Sequence, residues 1–80
     1  MKEKISKLYE YLINNNHTQD SYRVKKILDE YIQNADLSEL SKKELTVMCN
    51  PKYLGDLYIK EFSDSYMWWN FLAEIKSELV

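Results

Sequence analysis

Asn50-Pro51-Lys52-Tyr53-Leu54-Gly55-Asp56-Leu57-Tyr58-Ile59 holds the only proline and the only glycine of the chain. How this stretch is read decides the fold class. Leu57 and Ile59 alternate with Tyr58 and Lys60, which is the period of a strand. Leu54, Leu57 and Tyr58 have the spacing of a helix instead. A run this short does not separate the two periods, but pairing does: a lone strand would have no partner here. We read 52–62 as a short helical turn with an irregular continuation. Pro51 pushes Asn50 out of the helical region, so the helix before it stops there.

Outward from this segment, every other periodic stretch is helical. Ile5, Leu8, Tyr9 and Leu12 mark a first helix over 2–15. Asn14-Asn15-Asn16 ends it, because asparagine tolerates the left-handed conformation of a C-terminal cap. Thr18 or Asp20 is expected to cap the second helix. Its stripe is Val24, Ile27, Leu28 and Tyr31, widened by Ile32. Asn34-Ala35-Asp36 is a boundary, and Leu37 and Leu40 follow in a short turn or packed loop. Ser41 and Glu44 have the spacing of a capping box, so a third helix is placed from there to about Cys49. Leu45, Met48 and Cys49 share its face, with Val47 beside them. Ser63-Asp64-Ser65 supplies an N-cap for the last helix, where Asp64 also complements the helix dipole. Trp68, Leu72, Ile75 and Leu79 form its stripe, with Phe71 alongside. Trp69 lies about 100° around that helix from Trp68, so one indole is expected inside and the other at the rim.

The expected architecture is all-α: one domain over residues 1–80, a compact bundle of about four helices with an irregular segment before the last. Short connections make neighbouring helices roughly antiparallel. One glycine and one proline leave little turn material for a multi-stranded sheet. Eighty residues bury only a small core.

Composition excludes more functions than it suggests. Net charge is −2, with +1 over residues 1–35 and −3 over 36–80. A nucleic-acid binder carries a basic excess, so nucleic acid is not an expected partner. Arg23, Lys25 and Lys26 are interleaved with acids and read as a solvated helix face. The lone Cys49 has no disulfide partner and no zinc-type neighbours, and reads as a small buried apolar residue. His17, the only histidine, reads as a loop residue without a catalytic partner. Nothing in the sequence places the carboxylate pairs Glu61/Asp64 and Asp29/Glu30 in a cleft, as acid–base work would require. No phosphate loop or nucleophile elbow occurs. We expect no enzyme, no cofactor and no metal. With no apolar leader or spanning run, the expected setting is cytoplasmic.

Binding remains. Seven tyrosines, two tryptophans and two phenylalanines are dense for this length, and tyrosine and tryptophan favour protein interfaces. The candidate contact residues are Tyr53, Asp56, Tyr58, Glu61, Asp64, Tyr66 and Trp69, in and after the irregular segment. The alternatives are a small regulatory nucleic-acid binder using Arg23, Lys25 and Lys26, and a self-associating helical module.

Residues 45–59 (LTVMCNPKYLGDLYI) and 66–72 (YMWWNFL) resemble small helical immunity proteins of contact-dependent growth-inhibition and polymorphic toxin systems. The resemblance covers about residues 40–75 and rests on the aromatic-Leu-Gly-Asp-Leu core and the aromatic helix after it. It implies a bacterial cytoplasmic inhibitor that binds a cognate toxin, often a nuclease, with acidic and aromatic contacts to a basic cleft.

Overall fold

The computed structural model describes residues 1–79. Four helices follow one another: α1 (Lys2–Asn14), α2 (Thr18–Asn34), α3 (Glu39–Met48) and α4 (Ser65–Glu78). A single 3-10 turn, Leu54–Asp56, lies in the connector between α3 and α4. No strand is present among the described residues. The chain is therefore an all-α bundle, and 52–62 is a short helical turn followed by irregular backbone. Its radius of gyration is 11.7 Å, about what a compact chain of this length has.

Each helix turns its expected stripe inward. Ile5, Leu8 and Leu12 of α1 are buried, with Val24, Ile27 and Leu28 of α2. Leu45 and Met48 of α3 join Trp68, Leu72 and Ile75 of α4. Leu37 and Cys49 are buried in the connections, as are Leu54 and Ile59. α1 packs against α2, α3 touches α2 and α4, and the 3-10 turn rests on α4. Ile32 is not part of the core: it is 55% exposed, so the α2 stripe is narrower than its apolar spacing implies.

The helix starts correct two sequence expectations. Neither Thr18 nor Asp20 caps α2; His17 holds the cap position, without a side-chain cap bond. The Thr18 carbonyl instead accepts a bond from the buried Ser21 hydroxyl at 2.7 Å. The Asp20 carboxylate faces the Tyr53 hydroxyl, which donates to it at 3.4 Å. The second correction concerns α3, which starts before Ser41. Ser38 is its N-cap, accepting from the Ser41 N–H at 3.2 Å. Ser41 donates its hydroxyl to Glu30 of α2 at 3.0 Å, and the Ser38 N–H goes to the same carboxylate at 2.9 Å. A long-range acid has replaced the local box. The early start also carries Leu40 to the outside, 77% exposed.

Two residues other than glycine take the left-handed conformation, Asn16 (φ 65°) and Ala35 (φ 57°). Asn16 does so within the asparagine run that ends α1. Ala35 ends α2 with its N–H on the Tyr31 carbonyl at 2.7 Å, although its Cβ makes this region costly.

Candidate functional site

The connector is held by both tryptophans. Trp68, 2% exposed, donates its indole N–H to the Leu54 carbonyl at 2.8 Å. Trp69, 37% exposed, donates to the next carbonyl, Gly55, at 2.9 Å. One indole is thus inside and the other at the rim, yet both N–H groups reach the same turn. Gly55 has no positive φ; what it supplies is close approach. A Cβ there would lie 3.0 Å from Trp69 Nε1 and 3.3 Å from the Asn50 carbonyl oxygen.

The other side of the connector is tied to the turn between α1 and α2. Asn15 donates to the Glu61 carboxylate at 2.8 Å and to the Tyr11 carbonyl at 2.7 Å. Its amide oxygen accepts the Lys60 N–H at 2.9 Å. The half-buried His17 places Nε2 3.1 Å from the Tyr58 carbonyl oxygen. The histidine of this turn therefore does structural work as a tie to the connector. Beneath these ties, Tyr11, Phe62 and Phe71 pack around Trp68. Tyr11 meets Phe62 edge-on at 5.1 Å, and Trp68 stacks on Phe71 at 5.8 Å.

The seven candidate contact residues are placed unequally. Tyr66 and Trp69, one helical turn apart on α4, form an edge-to-face pair at 5.5 Å. Tyr66 is 71% exposed and Tyr58 77%. Tyr58 and Asp64 line one hollow beside the start of α4. Asp56 is exposed and follows Gly55, whose carbonyl Trp69 holds. Asp64 caps α4, accepting the Met67 N–H at 3.0 Å, and remains exposed. Glu61 is exposed but engaged by Asn15, whose hydrogen bond holds its carboxyl below the ordinary value. Tyr53 stands apart. It is half-buried, and its hydroxyl lies between Arg23 and Asp20 of α2.

Two members of the basic trio on α2 have separate partners. Arg23 donates to the Tyr53 hydroxyl, and Lys25 pairs with Asp29 at 2.9 Å. Burial pushes the Cys49 thiol up to about 12, against a smaller opposing pull from Lys76. Among the described residues no cluster of His, Cys, Asp and Glu could hold a metal ion. No helix among them is long and apolar enough to cross a membrane.

Sequence reasoning passed over one surface. The outer face of α3 leaves Leu40 and Val47 exposed, 77% and 53%. With Met48, Tyr53, Arg23, Lys43 and Glu44 they line a groove of about 390 Å³. The i, i+7 spacing of Leu40 and Val47 is the signal that pointed to it, once the helix is known to start at Glu39. No protein-family model, curated protein or solved structure matches the chain.

Proposed function

We propose that the chain is an immunity protein that binds and neutralises a cognate antibacterial toxin, a nuclease domain with a basic cleft. One observation carries this reading. The core closes on Trp68, while Tyr58, Tyr66 and Trp69 remain 77%, 71% and 37% exposed around the connector and the start of α4. Tyr58 and Tyr66 are large rings left in water that serve the fold little, and Trp69, though its N–H holds the Gly55 carbonyl, keeps part of its ring at the rim. These rings are suited to burying area against a partner, with Asp56 and Asp64 steering a basic surface. The resemblance of residues 45–59 and 66–72 to toxin-immunity proteins supports the same reading, as does the net −3 over residues 36–80.

The protein acts, on this reading, by binding alone, in the bacterial cytoplasm. Co-expression with the product of the neighbouring gene tests it. The expected result is a complex that co-purifies and a toxin that no longer arrests growth. A neighbour that is no toxin, or a toxin that neither binds nor is inhibited, overturns the reading.

A second reading, self-association, has the exposed Leu40 and Val47 in its favour. A monomer in sedimentation at high protein concentration would exclude it.

A further inference from the structure

Beside the start of α4 lies a hollow of about 160 Å³. The buried Trp68 and half-buried Phe62 contribute to its floor, and the exposed Tyr58, Ser63, Asp64 and Ser65 to its rim. The volume equals that of about five waters at roughly 30 Å³ each, which is the scale of one side chain.

The lining decides which side chain. Tyr58, Phe62 and Trp68 line the space together with Leu57 and Ile59, and the Trp68 N–H is already spent on the Leu54 carbonyl. Aromatic faces attract cations. Asp64 uses Oδ1 on the Met67 N–H, while Oδ2 makes no hydrogen bond among the described residues. The start of a helix carries about half a positive charge, and one carboxylate outweighs it. Asp64 is the one charged residue among those lining the hollow, so the lining carries a net negative charge. An acidic side chain would meet like charge. An apolar one would strip water from Asp64 without replacing its hydrogen bonds. An ammonium or guanidinium group satisfies both walls, with its stem along the exposed Tyr58 ring and its head at Asp64.

We propose that this hollow is the socket for a single lysine or arginine side chain of the protein partner. The proposal rests on the toxin-binding reading and adds the chemical identity of one anchor.

Two variants isolate the socket. Asp64→Asn removes the charge and keeps the cap, since asparagine caps as well as aspartate. Tyr58→Ala removes a ring that is 77% exposed, and leaves the backbone carbonyl that meets His17. If the wild-type protein binds the neighbouring gene's product, each variant is expected to weaken binding by about tenfold or more. Tyr58→Phe should bind as wild type does. Both Asp64→Asn and Tyr58→Ala binding within twofold of wild type overturns the socket while leaving the toxin reading intact. Failure of the wild-type protein to bind defeats that reading, and a partner-free titration then judges the socket. Tryptophan emission is followed against N-acetyl-arginine amide, N-acetyl-lysine amide and the uncharged citrulline analogue. A saturable response to either cation, absent with citrulline and absent in Asp64→Asn, supports the socket and identifies the head group. No response, or one that citrulline matches, overturns it.

Discussion

Trp68→Phe measures how firmly α4 holds the connector. The substitution keeps a ring in the core and removes the N–H that donates to the Leu54 carbonyl at 2.8 Å. That carbonyl also accepts the Leu57 N–H at 3.1 Å, so it is not orphaned. The lost hydrogen bond is worth about 1 kcal/mol. The smaller ring also leaves unfilled the space of roughly two carbons, about 1.6 kcal/mol at about 0.8 each. Trp68 is 2% exposed and stacked on Phe71, so little relaxation fills the gap. The expected loss is about 2.5 kcal/mol, a large part of the roughly 4–12 kcal/mol a domain of this size has. The melting temperature should fall by about 10–20 °C. Urea unfolding followed by far-ultraviolet circular dichroism is the assay, because the substitution alters tryptophan emission. The m-value should not change. Trp69→Phe is the internal comparison: its ring is 37% exposed, so losing its bond to Gly55 should cost about 1 kcal/mol or less. A Trp68→Phe loss below about 0.5 kcal/mol, or one no larger than that of Trp69→Phe, would refute the account of Trp68 as the anchor.

Four further outcomes are expected. Gly55→Ala places a Cβ 3.0 Å from Trp69 Nε1, displaces that indole and should destabilise by about 1 kcal/mol, despite the entropy alanine removes from the unfolded chain; unchanged stability in urea would contradict this. Ala35→Gly relieves the left-handed strain at φ 57° and should stabilise by up to about 1 kcal/mol in the same assay, and a loss would show that the methyl group packs. Asn15→Ala should return the Glu61 carboxyl upward towards 4.5 in an NMR titration. The folded value is depressed, so this pair stabilises above the unfolded value and stops doing so as pH falls through the folded one. The Lys60 amide should also exchange faster in that variant, since its acceptor is gone, and unchanged exchange would argue against the tie. Cys49, with its thiol pushed up to about 12, should react with a disulfide reagent at pH 8 only as fast as the chain opens; prompt labelling of the native protein would show the thiol is not enclosed.

The helices, the inward stripes and the Asp64 cap were legible because they depend on residues within one or two turns of one another. Period fixes which face of a helix is apolar, and the burial of Ile5, Leu8 and Leu12 on α1 follows it. The same locality explains why 52–62 could be read as a turn without a strand. Pro51 ends α3, and no partner strand exists among the described residues. The burial of Trp68 and the rim position of Trp69 follow from the angle between successive helical residues and the stripe they flank.

What sequence alone could not decide was where polar groups far apart in the chain would compete. Ser41 has the spacing of a capping box with Glu44, yet its hydroxyl goes to Glu30, because α2 brings a carboxylate across the gap. Tyr53 has the look of an exposed contact residue, yet its hydroxyl is met by Arg23 and Asp20, thirty and thirty-three positions away. Asn15 reads as a helix stop, and only the packed chain makes it a clamp on Lys60 and Glu61. The connector fared the same way. Its glycine and its leucines were visible from the start, but the two indole N–H groups that fix its carbonyls come from α4, fourteen residues on. Local spacing determined the elements of this protein. Tertiary structure decided which side chains those elements left exposed, because a polar group in the folded chain bonds to whatever packing brings within reach.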